Sequence, residues 1–359
     1  MDPITHILVG ACVAQLPSSS QNNEINKSKK DDLSLTFKQR ATIGGITAAF
    51  PDIDYILFLV NPLDFLAYWH RAETHSVILA PLWALLLCKA WMLWRDFKPF
   101  QKTVFFICLL SLVSHTLLDS LTPYGTQWLA PFSDYRVSWD LIFVVDIYFT
   151  LSILAVFLCM YLNQNTHRVL FIFLLPFIYL TSIYQIKQTA IQSIQFTYPS
   201  EAETLVALPQ PFSPFYWQII RSNKTDINQT FYRLVDDPIA PLIASLTRRT
   251  AYLEQINPLT KLQWTTYSLQ PKEPSLRVHA LKAWHHADFK AYRDFSIFPV
   301  FYLHSKEIHK NCFWFSDLRY HWPGFRPVFR YGMCLSNDKT WAVHRMKYLS
   351  DEDIKLLPL

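Results

Sequence analysis

Residues 103–121 read TVFFICLLSLVSHTLLDSL, an apolar run that contains one histidine, His115, and one carboxylate, Asp119. The run has about the ~20 residues that a helix needs to cross a hydrocarbon core. Four positions apart on a helix, His115 and Asp119 project from one face. Polar groups inside an apolar span are costly and usually serve a function. The stretch therefore predicts a membrane helix with a functional polar pair at its end.

Four further apolar stretches of similar length occupy the same half of the chain. They are Ala41–Val60, Val77–Trp94, Leu141–Leu162 and Val169–Gln185. A soluble helical bundle explains any one of them, but five within 190 residues favour membrane insertion. Charged residues make up 17% of the chain, against about 25% in soluble proteins. The polar segment Ser18–Arg40 is predicted to be a solvated loop.

The composition changes at about residue 196, where proline clusters and polar stretches begin. Alternating segments at Cys312–Phe315, Val328–Tyr331 and Trp341–His344 predict strands, with a turn at Ser336–Asp338. We therefore expect a mainly α fold, with a polytopic membrane helical bundle and a C-terminal α+β or mostly β soluble domain. The predicted domains are 1–190, membrane-embedded, metal-binding and hydrolase-like, and 191–359, soluble and β-rich.

Glycine and cysteine usage narrows the function classes. The chain has six glycines, and they form no cluster of the kind that cradles a nucleotide phosphate. The net charge of +5 comes without a basic stripe, so we expect no nucleic-acid partner. The cysteines show no CxxC spacing, so the sequence does not predict a cysteine metal site. Cys312 and Cys334 can pair if the C-terminal domain lies in an oxidising compartment.

Histidines and carboxylates in the apolar half fall into four short segments. The candidate metal ligands are His6, Asp52, Asp54, His70, His75, His115 and Asp119. Imidazoles and carboxylates together favour one or two divalent ions, Zn²⁺ before Mn²⁺ or Fe²⁺. Taken singly, His6 can be a capping residue, the two aspartates after Pro51 can cap a helix, and the pair on residues 103–121 can be a buried hydrogen bond. A metal site explains all four segments at once.

The basic connections of the apolar half alternate with loops that carry few cations. The basic ones are Lys27–Arg40, Arg95–Lys102 and His167–Arg168. Basic loops of inner membrane proteins stay in the cytoplasm. Residues 52–75 and 121–140 are therefore predicted on the external, periplasmic face, together with the C-terminal domain.

Three motifs resemble the signature of the bacterial YdjM-type membrane proteins, which are described as metal-dependent hydrolases. The motifs are Pro51-Asp52-Ile53-Asp54, His70-Arg71-x-x-Thr74-His75-Ser76 and Ser114-His115-x3-Asp119-x2-Thr122-Pro123-x-Gly125. The resemblance covers about residues 1–165. This chain has Tyr55 where the family is expected to have histidine, and Ala72-Glu73 in place of Gly-Phe. Membership implies a multi-pass protein of the bacterial inner membrane.

These observations together predict a membrane-bound metal-dependent hydrolase. A metal-activated water would attack a phosphoester of a lipid or amphipathic substrate at the bilayer surface. The predicted catalytic residues are Asp54, Arg71 and Thr74, with Ser76 and Thr122 as hydrogen-bond donors that orient ligands. Arg71 suits a phosphate oxygen, or alternatively a salt bridge to Glu73 or a lipid headgroup. The rival functions are a metal-stabilised membrane scaffold or interaction protein and a metal transporter.

Overall fold

The structure, a computed structural model, describes residues 1–16, 35–94, 97–162, 174–199, 202–223, 226–307, 310–348 and 350–356. Its contacts divide the chain into two compact units. We call Met1–Tyr55 with Arg71–Ile183 the helical unit, and Ile56–His70 with Tyr184–Leu359 the mixed unit. The domain boundary between residues 190 and 191 stays a prediction.

Helices dominate the first half of the described chain. The α-helices are α1 (Pro3–Val13), α2 (Phe37–Ala49), α3 (Pro62–Asp64), α4 (Ala80–Trp94), α5 (Gln101–Asp119), α6 (Ile147–Leu162), α7 (Leu175–Thr197), α8 (Ala240–Leu246), α9 (Thr250–Leu253), α10 (Pro274–Trp284) and α11 (Lys290–Phe295). Short 3-10 helices are Pro51–Leu59, Glu73–His75, Lys98–Phe100, Leu259–Lys261, Ala287–Phe289 and Leu318–Tyr320, and Phe65–Trp69 is a π-helical turn.

Among the described residues, two helical segments are long and apolar enough to cross a membrane, Phe37–Leu59 and Lys98–Asp119. The bent pair Pro62–His75 and Ala80–Trp94 is a third candidate. The predicted stretch 141–162 yields a shorter helix, because α6 starts only at Ile147. The predicted stretch 169–185 lies partly outside the described residues.

The starts of α1 and α2 follow from their capping residues. Asp2 accepts a hydrogen bond from Thr5 N at 3.0 Å, and Pro3 needs no such partner. Thr36 and Gln39 form a reciprocal capping box that starts α2 at Phe37. The loop prediction for Ser18–Arg40 is therefore wrong at its end, where Phe37–Arg40 is helical, and residues 17–34 lie outside the described residues.

Helices α1 and α2 pack backbone against backbone. A Cβ built on Gly44 would lie 2.2 Å from the carbonyl oxygen of Gly10, and one built on Gly10 would lie 2.4 Å from the Cβ of Ala48. Small residues at both positions let the two helices approach this closely. The contact fixes α1, and thus His6 one turn before Gly10, against the end of α2.

Two antiparallel sheets make up most of the mixed unit. The strands are β1 (Thr204–Pro209), β2 (Tyr216–Ser222), β3 (Ile227–Arg233), β4 (Thr265–Tyr267), β5 (Pro299–Lys306), β6 (Lys310–Asp317), β7 (Tyr331–Ser336), β8 (Trp341–Met346) and β9 (Asp353–Lys355). They pair in the orders β1-β2-β3-β4 and β5-β6-β7-β8-β9. The predicted layout of a helical bundle followed by a sheet-containing region is confirmed, although strands and helices share the second half.

The predicted β7–β8 hairpin is present, but its first strand begins at Tyr331, so Val328–Arg330 precede it. Cys312 and Cys334 lie directly opposite each other on β6 and β7 and form a disulfide.

Segment 56–70 belongs to the mixed unit, which the sequence does not indicate. Tyr68 donates its hydroxyl hydrogen to Asp294 of α11 at 2.6 Å. The hydroxyl of Tyr331 donates to the carbonyl oxygen of Pro62 at 3.3 Å. These contacts connect segment 56–70, which lies between the first two motifs in the sequence, with residues more than two hundred positions later.

Candidate metal centre

Four residues of the helical unit bring one potential ligand atom each into a single cluster. They are Asp52, His75, His115 and Asp119, whose ligand atoms all lie within 4.8 Å of one another. The side chains of both histidines and of Asp119 are almost fully buried, whereas that of Asp52 is 24% exposed. The cluster is therefore closed by protein on most sides and opens at Asp52. We call these four residues the metal cluster.

Asp119, the last residue of α5, is the centre of the cluster. Its Oδ2 lies 3.2 Å from Nε2 of His75 and 3.2 Å from Nε2 of His115. Its Oδ1 lies 3.2 Å from Nε2 of His6 and 3.0 Å from Nη2 of Arg71. The α-amino group of Met1 also contacts Oδ1. A buried carboxylate persists only with such compensation by positive and hydrogen-bonding groups.

The tautomer of His115 follows from its second ring nitrogen. Nδ1 lies 2.6 Å from the carbonyl oxygen of Ala48, which can only accept, so Nδ1 carries the hydrogen and donates it. In its neutral form the ring directs the lone pair of Nε2 at carboxylate oxygens of Asp119 and of Asp52, the latter 3.7 Å away. Nε2 is buried and makes no hydrogen bond to the described residues.

A lone pair facing two carboxylates is unfavourable, and either a proton on Nε2 or a cation between the three groups relieves it. The donor set of the metal cluster thus fits a divalent ion, and two imidazoles with two carboxylates match the ligands that Zn²⁺ prefers. The hydrogen bond between His115 Nδ1 and the carbonyl oxygen of Ala48 is of the kind that orients histidine ligands in metal proteins.

The ring of His75 is oriented by its neighbours. Its Nδ1 lies 2.9 Å from Oγ1 of Thr74 and 3.6 Å from Oδ2 of Asp54. Asp54 Oδ2 also accepts a hydrogen bond from the backbone N–H of Arg71 at 2.9 Å. The two aspartates of the first motif therefore differ in place: Asp52 lies within the cluster, and Asp54 lies behind His75.

Arg71 forms hydrogen bonds at the C-terminal end of α5. Its Nη1 donates to the carbonyl oxygen of Asp119 at 3.2 Å and to Oγ1 of Thr122 at 2.8 Å, while Nη2 faces Asp119 Oδ1. The residue has φ 57°, which is uncommon for a side-chain-bearing residue. Its guanidinium thus adds a fixed positive charge at the rim of the cluster.

The remaining predicted site residues lie outside the metal cluster. His6 stacks on His115 with ring centroids 3.7 Å apart, beside the cluster. His70 belongs to the mixed unit, where its ring lies 4.8 Å from that of Phe65, and it is not one of the grouped ligands. The hydroxyl of Ser76 lies 2.7 Å from the carbonyl oxygen of Ala130 and 3.1 Å from that of Trp128, so it anchors a loop.

Sequence reasoning predicted a loop at residues 121–140 but missed the contacts that this loop makes with Arg71. The ring of Tyr124 contacts the guanidinium of Arg71, and Gln127 N donates to the carbonyl oxygen of Arg71 at 2.9 Å. The sequence signal was Gly125, whose φ of 76° marks a fixed turn. A second potential group, Cys334 with His344 and Asp353 in the mixed unit, contains a disulfide sulfur and offers no thiolate.

Two curated proteins are each similar to part of the chain. The uncharacterized protein YfhP of Bacillus subtilis (strain 168) is 33% identical over 115 residues, 32% of this chain and 34% of that protein. The inner membrane protein YbcI of Escherichia coli (strain K12) is 34% identical over 98 residues, 26% of this chain and 54% of that protein. The chain thus spans about a third and about half of the lengths of these relatives.

No solved structure matches the chain. The family described as YdjM inner membrane protein matches residues 1–190, more than half of the sequence and the whole of the metal cluster. The chain therefore belongs to the YdjM family of inner membrane proteins.

Proposed function

We propose that the protein is a membrane-bound metal-dependent hydrolase that cleaves a phosphoester of a lipid or amphipathic substrate. The observation that carries the proposal is the convergence of two oriented imidazoles and two carboxylates, beside the fixed cation of Arg71. Asp52, His75, His115 and Asp119 would hold the ion, with His6 next to them. Zn²⁺ suits this donor set best, before Mn²⁺ or Fe²⁺.

When bound, a divalent ion supplies Lewis acidity and lowers the pKa of a coordinated water toward neutrality. The protein's own residues do the rest. Asp54 Oδ2 and Thr74 Oγ1 hold the ring of His75, so that its Nε2 faces the carboxylates. Asp52, whose side chain is 24% exposed, is the member of the cluster that water and substrate would reach first. Arg71 fixes Asp119 and contributes positive charge, which favours a phosphate group in the transition state.

The burial of the cluster residues favours one rival function, that of a membrane scaffold that a metal stabilises without catalysis. Three of the four cluster residues are nearly inaccessible, as in closed structural sites. A metal transporter is less well supported, because Asp119 ends α5 and the other cluster residues gather around it. Transport would need ligands repeated along a path through the membrane.

The experiment that tests the proposal compares His115→Ala with His285→Ala, a change at an exposed histidine of the mixed unit. The wild type in detergent should contain about one or two divalent ions per chain and hydrolyse a short-chain phospholipid. His115→Ala should lose both, with hydrolysis falling at least about a hundred-fold. Elemental analysis and phosphate release measure the two effects.

Hydrolysis unaffected by His115→Ala would refute the enzyme function, and so would a wild type that purifies without metal. Metal bound by the wild type, lost in His115→Ala and accompanied by no hydrolysis of any phosphoester, would favour the scaffold instead.

We also propose that the metal cluster and the mixed unit face the periplasm. The distribution of basic loops supports this orientation. So does the disulfide between Cys312 and Cys334, because such bonds persist in the periplasm and are rare in the cytosol.

A membrane-impermeant maleimide, added to intact cells, tests the orientation. Each new cysteine is introduced into a protein that also carries Cys159→Ser. Asp134→Cys, in the exposed loop after α5, should react without permeabilisation. Lys98→Cys, exposed at the opposite end of α5, should react only after permeabilisation. The reverse labelling pattern would place the metal cluster on the cytoplasmic side.

A further inference from the structure

Two arginines meet on the ring of Tyr124, in the loop that follows α5. The Cζ atoms of Arg71 and Arg136 each lie 5.1 Å from the ring centroid. The two guanidinium groups are therefore within about 10 Å of each other, close to the Debye length of ~8 Å at physiological salt. Both arginines and the tyrosine belong to the helical unit. Arg71 faces the carboxylate of Asp119 at 3.0 Å, so Arg136 is the member of this pair whose guanidinium adds positive charge at the ring outside the metal cluster.

The backbone of the loop builds this arrangement. Thr126 and Val137 form an antiparallel bridge, with N···O distances of 3.0 and 2.9 Å, and this brings Arg136 back beside Tyr124. Gly125 has φ 76°, and a Cβ there would lie 3.1 Å from the Cβ of Arg136. A glycine at this turn thus permits the close approach.

The three side chains differ in burial. Arg71 is 6% exposed and contacts Asp119 of the metal cluster, whereas Tyr124 and Arg136 are half-buried. Tyr124 and Arg136 are therefore the more accessible members of the arrangement. Asp134 and Asp140 are the acidic residues of the same loop, and Asp140 accepts a hydrogen bond from Ser138.

We propose that Tyr124 and Arg136 form a subsite for the phosphate of an anionic amphipathic molecule, next to the metal cluster. This inference rests on the proposed function and names the substrate class more closely. A guanidinium binds a phosphate group through charge-assisted hydrogen bonds. The neighbouring tyrosine limits the freedom of the guanidinium and thereby lowers the entropy cost of binding.

The test measures binding, which needs no turnover, on the full-length protein in detergent micelles. Calorimetry is run with dihexanoyl phosphatidic acid, dihexanoyl phosphatidylcholine and inorganic phosphate. Arg136→Gln should weaken binding of the phosphatidic acid at least about ten-fold, and Arg136→Lys should restore part of it. Lys102→Ala, which removes an exposed cation from the start of α5, is the matched control and should bind like the wild type.

If Arg136→Gln also weakens the binding of inorganic phosphate, the subsite binds free phosphate; if it weakens only the binding of phosphatidic acid, the subsite binds the phosphate as part of the lipid. Rising salt should weaken binding to the wild type more than to Arg136→Gln. Equal affinities of the wild type and Arg136→Gln would overturn the proposal, and so would equal affinity of the wild type for the two lipids. Metal content should be unchanged in Arg136→Gln, so this result is separable from failure of the metal centre.

Discussion

Replacing Asp119 by asparagine is expected to abolish metal binding and to destabilise the helical unit by about 3–5 kcal/mol. The carboxylate lies within 3.2 Å of Arg71 and of three histidines and also contacts the α-amino group of Met1. Asparagine keeps the volume and removes the charge. Arg71, which is 6% exposed, would then be a buried cation without its carboxylate.

Thermal unfolding followed by circular dichroism, together with elemental analysis, measures the two effects. Asp134→Asn, at an exposed carboxylate of the loop after α5, is the matched control and should behave like the wild type. The comparison is repeated after EDTA treatment. Because the uncompensated charge of Arg71 does not depend on the ion, Asp119→Asn should remain less stable than the wild type under both conditions. Equal melting temperatures in EDTA would show that the ion, and not the ion pair, provides the stability.

The spacing of residues predicted much of the cluster. His115 and Asp119 share a helical face because they are four apart, and that face lies at the end of an apolar run. The spacing could not separate Asp52 from Asp54. They lie on a 3-10 helix, where residues two apart point in different directions, and only the second hydrogen-bonds the backbone of Arg71.

His70 shows a second limit of spacing. It follows a π-helical turn, Phe65–Trp69, in a segment that packs in the mixed unit. Apolar residues predict a buried segment but do not identify the surface that buries it. The contacts of Tyr68 and Pro62 with distant residues depend on tertiary structure alone. A sequence signal that lies wholly within a few neighbouring residues predicted the structure more successfully, as the N-cap residue Asp2 did for the start of α1.

The α1–α2 contact leads to a second expected result, a strong destabilisation by Gly44→Ala. Alanine is the better helix former by about 1 kcal/mol, so the substitution would stabilise an isolated helix. Here the added Cβ would lie 2.2 Å from the carbonyl oxygen of Gly10 and 2.5 Å from the Cβ of Ala14. Neither atom can turn aside, so α1 and α2 must separate. We expect a loss of about 3 kcal/mol, at the upper end for overpacking.

The separation should also weaken the metal centre, because both helices contact His115, one of its ligands. His6 lies one turn from Gly10 on α1, and Ala48, whose Cβ faces Gly10, supplies the carbonyl that orients His115. Gly45→Ala is the matched control: its Cβ would lie 3.1 Å from Ile7 Cγ2 and 3.3 Å from the carbonyl oxygen of Ile7, contacts that a shift of a few tenths of an ångström relieves. Melting temperature and metal affinity should both fall in Gly44→Ala and stay near wild type in Gly45→Ala. A Gly44→Ala protein as stable as Gly45→Ala would mean that the two helices do not pack through these glycines in the membrane.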